Sequence, residues 1–277
     1  MAAFKPEHQY LNVDGHRIAY LECGEGPPVI LLHGIPTSSL LWRNIIPELA
    51  NGRRVVAPDM LNFGKSDKPR DADVSIQAQS RVLMGLMDAL GIRRADIVAH
   101  DIAGGVAQIL AVNHPERINR LVLADAVCFD SWPIPEFKPL QAPEAEEEMS
   151  AHELEQMLRD FLPKGMHDDT AATPELADMI VEPWQGESGK RAFFRNLRRL
   201  NPEYTLAIAD ELQHLPHTTL ILWGRHDAFQ KPEYAEKLKE TIPNADIAWV
   251  DSAHWITEER PEQVATILKD FLSPEIR

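Results

Sequence analysis

A chain of 277 residues is long enough to bury a sizeable core and, in an α/β fold, to carry one core plus an insertion. Its 28 Lys and Arg against 43 Asp and Glu leave a formal net charge of −15, which argues against nucleic acid, an anionic membrane or a highly anionic substrate as partner. Cys23 and Cys128 are too few and too far apart for a disulfide framework or a zinc site, and neither a signal-peptide core near Met1 nor a membrane-length apolar run is found, so a cytoplasmic protein is expected.

His8 to Asp14 and His16 to Cys23 alternate around Asp14-Gly15, the signature of a hairpin at a sheet edge. Pro28 to Leu32 is a continuous apolar run of the kind buried on both faces of a parallel sheet, and it ends at His33-Gly34-Ile35-Pro36. Ser38 or Ser39 caps a helix through Leu41, Trp42, Ile45, Ile46 and Leu49, and a strand returns at Arg54 to Asp59. The pattern then predicts a helix from Ser75 to Leu90 stopped at Gly91, a strand from Asp96 to His100, a helix to about His114-Pro115 and a strand from Leu121 to Ala124. Such alternation prescribes an α/β protein, a parallel sheet with crossover helices.

Between about Cys128 and Leu215 no buried strand is predicted. The segment holds prolines, an acidic run at Glu144 and Glu146 to Glu148, and helical periodicity over Ser150 to Phe161, Pro174 to Val181 and Gly189 to Leu200. It reads as a helical insertion, with the acidic run and the cluster Arg191, Arg195, Arg198 and Arg199 on solvated faces. Alternation resumes with strands at Thr219 to Gly224 and Ile247 to Val250 and helices at Pro232 to Lys239 and Pro261 to Phe271. The expected division is 1–128 for the first part of the core, 129–214 for the insertion and 215–277 for the rest of the core.

Asp101 stands in Ile97-Val98-Ala99-His100-Asp101-Ile102-Ala103-Gly104-Gly105, where an apolar strand meets a helix through small flanking residues. That is the setting of a nucleophile elbow, a position that serine normally fills. An ionised carboxylate has no proton to lose and attacks carbon directly, most usefully an sp3 centre bearing a leaving group, to give an alkyl-enzyme ester. The competing role for Asp101 is a plain helix N-cap. His254, in Asp251-Ser252-Ala253-His254-Trp255 just after a strand, is placed to activate water against such an ester. Asp227, in Gly224-Arg225-His226-Asp227, ends another strand and is favoured to orient the histidine; Asp125, after Ala124, is the alternative acid. His214 and His217 have helical spacing but no third ligand nearby, so no metal is expected, and Gly104-Gly105 lacks a phosphate-loop fingerprint. No cofactor is expected.

His33-Gly34-Ile35-Pro36, Asn62-Phe63-Gly64-Lys65-Ser66-Asp67-Lys68-Pro69, His100-Asp101, Gly224-Arg225-His226-Asp227 and Ala253-His254-Trp255 together resemble the α/β-hydrolase superfamily, and within it the aspartate-nucleophile branch of haloalkane dehalogenases and epoxide hydrolases. These motifs span nearly all of the core, and Pro36 to Pro47 is especially similar to haloalkane dehalogenases. The resemblance implies a mostly parallel central sheet flanked by helices, an inserted helical cap over the active site, and an oxyanion hole made by the backbone N–H groups of Ile35 and Ile102. In haloalkane dehalogenases an Asn after the His-Gly pair and a Trp after the nucleophile hold the halide; Ile35 and Ile102 stand there instead, which leaves Trp132 and Trp184 as candidate donors. Ile102 also replaces the arginine of fluoroacetate-type dehalogenases. Epoxide hydrolases protonate their alkoxide with cap tyrosines, and the insertion holds one, Tyr204, with His152 and His167 as substitutes.

The expected function is hydrolysis of a small apolar organic substrate, an epoxide first, with haloalkane dehalogenation as the near alternative. A non-catalytic small-ligand receptor, or a lactonase using Asp101 as general base, are the other readings. The expected assembly is a monomer or homodimer, without nucleic acid or membrane partners.

Overall fold

The computed structural model describes residues 6–273, so residues 1–5 of the stretch inspected for a leader lie outside it. Eight strands form one sheet: β1 (Gln9–Val13), β2 (His16–Cys23), β3 (Pro28–Leu32), β4 (Arg54–Pro58), β5 (Ala95–His100), β6 (Ile118–Ala124), β7 (Thr218–Gly224) and β8 (Ala245–Val250). They lie in the order β1-β2-β4-β3-β5-β6-β7-β8. The pairs from β4 through β8 are parallel, and the hairpin β1-β2 joins antiparallel at the edge. Asp14 and Gly15 turn the hairpin at φ 51° and 86°, the two positive angles that a type I′ connection requires. Because β3 pairs with β4 on one side and β5 on the other, the order reverses between β3 and β5, and a crevice opens at their carboxyl ends.

Helix α1 (Ile76–Ala89) is capped by the Ser75 hydroxyl, which accepts the Ala78 N–H at 3.2 Å, and gives way to Gly91 at φ 68°. Helix α2 (Ile102–Asn113) is buried for all but its last two residues. Gly104 and Gly105 serve this packing: a Cβ on Gly105 would stand 2.7 Å from Ile76 Cδ1, so the glycines set the distance of α2 from its neighbours. The helix expected through Leu41 and Leu49 is broken instead into a 3-10 turn, Ser39–Trp42, and a single turn, Ile46–Leu49, with Pro47 at its start. Proline supplies no N–H to continue the first turn into the second.

Between β6 and β7 run α3 (Ala151–Phe161), α4 (Pro174–Val181) and α5 (Gly186–Leu197), while the acidic run forms a short helix, Pro143–Glu148. A Ser150–Glu153 capping box starts α3. One expectation fails here: Arg195 is half-buried, not a solvated residue, and donates to Asn62 Oδ1 at 2.7 Å and to the Lys68 carbonyl. Asn62 Nδ2 in turn donates to the Ala192 carbonyl at 2.8 Å and to Asn196 Oδ1 at 2.7 Å, so the loop after β4 fastens α5 to the core. Helices α6 (Pro232–Thr241) and α7 (Pro261–Leu272) complete the layers. Among the described residues no helix is long and apolar enough to cross a membrane.

Candidate active site

Strand β5 delivers Asp101 at φ 53°, ψ −125°, a conformation that strains any residue with a Cβ. It persists because β5 is wholly buried on one side and α2 on the other. The Asp101 carbonyl accepts the Gly104 and Val127 N–H groups at 2.9 and 3.0 Å. Asp101 makes no capping bond to α2. Its Oδ2 accepts the Ile35 N–H at 2.9 Å, across 66 residues of sequence. Close approach of the two loops requires Gly34, because a Cβ there would fall 2.5 Å from both the Cβ and Oδ2 of Asp101. His33 fixes that loop: its Nδ1 donates to the Gly34 carbonyl at 2.9 Å while Nε2 accepts the Met60 N–H at 3.0 Å. Burial pushes the Asp101 carboxyl up from 3.8 to about 6, against the opposing pull of His254 and of the Ile35 and Ile102 N–H groups.

His254 follows β8 and is 2% exposed. Its Nδ1 donates to Asp227 Oδ2 at 2.8 Å, which leaves Nε2 for the cavity. Asp227 is itself oriented by the Phe229 and Gln230 N–H groups, which donate to Oδ1 at 2.8 and 2.9 Å. Burial acts to lower the His254 pKa, but the charge and hydrogen bond of Asp227 and the charge of Asp101 outweigh it, so the imidazole is more basic than usual. The bond to His254 therefore comes from Asp227. Asp125 instead accepts the Gly224 N–H at 2.8 Å, and its Oδ2 finds no donor among the described residues. Burial first, and then the neighbouring Asp227 charge, push the Asp125 carboxyl well above the usual range.

Asp101, His254, Ile35 and Ile102 line one small cavity, together with Val127, Trp132, Phe137, Phe161, Leu200, Phe229 and Gln230, among others. Among the described residues no lysine or arginine lines it. The three cap residues expected at the substrate are not placed alike. Trp132 lines the cavity with its ring, but its Nε1–H is spent on Thr205 Oγ1 at 2.8 Å. Trp184 is fully buried outside it, donating to the Pro36 carbonyl at 2.7 Å and packed edge-on against Phe63 and Phe193. Tyr204 does not line it either: the single turn Glu203–Leu206 turns Thr205 inward, and Tyr204, one residue earlier, faces another way. His152 and His167 are exposed, and His217 is buried against the Pro115 carbonyl at 2.9 Å.

Sequence reasoning missed two residues. Gln230 is 1% exposed and brings a carboxamide into an otherwise apolar wall, its Oε1 unpartnered among the described residues. Glu259 accepts the Ala253 N–H on one oxygen and the His167 and Asp168 N–H groups on the other, each at 2.8 Å, and so ties the His254 loop to the helical insertion. Nothing in the spacing of residues 92 positions apart marks that bond.

A sequence model of the alpha/beta hydrolase fold matches residues 27–261. The chain belongs to the alpha/beta hydrolase family. This alpha/beta hydrolase is 33% identical over 274 residues to a 2-hydroxymuconate semialdehyde hydrolase of Pseudomonas sp. (strain CF600), covering 94% of this chain and 91% of that one. It is 26% identical to a cis-3-alkyl-4-alkyloxetan-2-one decarboxylase of Shewanella oneidensis, covering 96% and 88% of the two chains. A solved alpha/beta hydrolase fold protein from Burkholderia ambifaria superposes with a TM-score of 0.87 at 27% identity, over 95% of this chain and 100% of that one. The central sheet, mostly parallel with an antiparallel hairpin at its edge, is thus the sheet of a hydrolase, and the chain is an enzyme of that class.

Proposed function

We propose that this hydrolase opens a small, uncharged, apolar epoxide through a covalent ester on Asp101. The observation that carries the reading is the carboxylate at the strained elbow, held by the Ile35 N–H and sharing its cavity with a histidine made basic by two carboxylates.

Asp101 attacks a ring carbon, a C–O bond to Asp101 forms and the ring C–O bond breaks. The alkoxide takes the proton of the His254 imidazolium, which Asp227 and Asp101 stabilise. Neutral His254 then draws a proton from water as the water oxygen attacks the ester carbonyl. The Ile35 and Ile102 N–H groups hold the resulting oxyanion, and collapse returns the Asp101 carboxylate, the imidazolium and a diol. Histidine gives and regains one proton per cycle, so no tyrosine is needed, in keeping with Tyr204 outside the cavity. A free halide, by contrast, needs standing N–H donors, and the indole N–H groups of Trp132 and Trp184 are both bonded internally.

The names of the relatives bear on this unequally. The Pseudomonas protein is named for a muconate, a carboxylate, whereas among the described residues no lysine or arginine lines the cavity here to pair with one. The Shewanella protein is named for a dialkyl oxetanone, an apolar strained ring containing oxygen, which is the chemical character proposed here. One observation favours a second reading: the Gln230 carboxamide is a donor that a halide would use.

A panel of terminal epoxides and bromoalkanes, followed by intact-mass measurement on wild-type enzyme acid-quenched during a single turnover, tests the choice. The expected result is a diol at completion and, in the quenched samples, an Asp101 adduct equal in mass to the epoxide. Halide release without any epoxide turnover would move the assignment to the dehalogenase; no adduct from either class would overturn the covalent reading.

A further inference from the structure

Three loops that close around the catalytic histidine also bring His167, His226 and Asp251 together on the surface, with one ligand-type atom from each within 4.8 Å of the others. His226 immediately precedes Asp227, Asp251 lies three residues before His254, and His167 comes from the helical insertion, two residues after Gly165, whose carbonyl accepts the His254 N–H at 3.0 Å. The His167 and His226 rings stack with centroids 3.7 Å apart and planes 10° from parallel, and His226 Nε2 lies 3.0 Å from Asp251 Oδ1.

We infer that these three side chains form a site for a first-row divalent transition metal, Zn²⁺ or Co²⁺ in kind, which fastens the helical insertion to the core. Two imidazoles and one carboxylate are a borderline donor set, matched to Zn²⁺, Co²⁺, Ni²⁺ or Cu²⁺ and poorly matched to Mg²⁺ or Ca²⁺, which take oxygen ligands. Metal–ligand bonds of about 2.0–2.1 Å place tetrahedral ligand atoms roughly 3.3 Å apart. The cluster reaches that spacing by side-chain rotation, since the His226 and Asp251 side chains are 42% and 69% exposed. The backbone of His167 is already fixed, its N–H held by Glu259 at 2.8 Å.

The charges facing the cluster are Asp168 and Arg260, of opposite sign, and the chain as a whole carries −15. Exposure leaves the fourth position to water. The ion thus takes no part in the chemistry at Asp101, and its effect is to hold the loops of Asp227 and His254 against the insertion.

The test is titration of the chelator-stripped full chain with CoCl₂, read by visible absorption and thermal melting, and then displacement with ZnCl₂. One equivalent of Co²⁺ is expected, with a raised melting temperature and displacement by Zn²⁺ but not by MgCl₂. His167→Gln and Asp251→Asn, both surface changes, each lower the affinity at least about tenfold, as loss of a ligand should exceed the loss of an outer-shell partner. His214→Gln, outside the cluster, leaves it unchanged. Failure of the wild type to bind an equivalent of Co²⁺, or equal affinity in the wild type, His167→Gln and Asp251→Asn, overturns the proposal.

Discussion

At neutral pH Asp101 is ionised although burial has moved its pKa from 3.8 to about 6, so the folded protein binds this proton more tightly than the unfolded chain does. The stability it contributes is fully present below about 4 and is lost as pH rises through 6, a change of roughly 3 kcal/mol. Asp101→Asn, which keeps the shape and removes the charge, is therefore expected to melt higher than the wild type at pH 8 and close to it at pH 4, while losing turnover at both. Melting curves at the two pH values check this; a variant less stable than the wild type at pH 8 would contradict it. Turnover by the wild type should rise as pH passes upward through about 6, because only the carboxylate attacks. The two buried acids separate in the same way. Asp125 bonds to the Gly224 N–H and not to His254, so Asp125→Asn, which keeps that acceptor oxygen, should leave ester hydrolysis near the wild-type rate. Asp227→Asn removes the acceptor that fixes the His254 tautomer and should slow hydrolysis by about 10⁴. Single-turnover rates of the ester intermediate distinguish them, and equal losses would argue against the assignment of Asp227.

Elements position these groups through close approach, and glycine decides how close. The loop after β3 reaches the elbow after β5 because Gly34 has no side chain; a Cβ 2.5 Å from two Asp101 atoms lies well inside normal contact. Gly34→Ala should cost about 1–3 kcal/mol in denaturant midpoint experiments and slow adduct formation at Asp101 by at least about 100-fold, because it displaces the Ile35 N–H along with the carboxylate. Normal adduct formation in that variant would show that the contact is not needed. The strands and most helices were legible from periodicity, since alternation and apolar runs are local. The split at Ser39–Trp42 and Ile46–Leu49 was not, because apolar spacing continued through a proline that ends the hydrogen-bonded turn. Tyr204 and Trp184 were singled out by residue type, but a single turn facing Thr205 inward, and the Pro36 carbonyl taking the Trp184 N–H, place both outside the cavity.

Across the whole molecule the site is assembled from the ends of β3, β5, β7 and β8 and from the helical insertion, so its carriers were readable as motifs while its walls were not. Asp101, His254 and Asp227 each follow a strand in a recognisable phrase; Gln230, Glu259 and the His167–His226–Asp251 cluster depend on contacts between distant segments, which no local pattern encodes. The −15 charge and a cavity lined by no lysine or arginine among the described residues agree in disfavouring an anionic substrate. The covalent route itself is tested most directly by one turnover in H₂¹⁸O with enzyme in excess over an epoxide that it consumes. Attack by Asp101 followed by water at the ester carbonyl puts the label into the Asp101 carboxylate and leaves the diol unlabelled. Label in the diol with none in the peptide that carries Asp101 would mean that water attacked the substrate directly, and would contradict a nucleophilic Asp101.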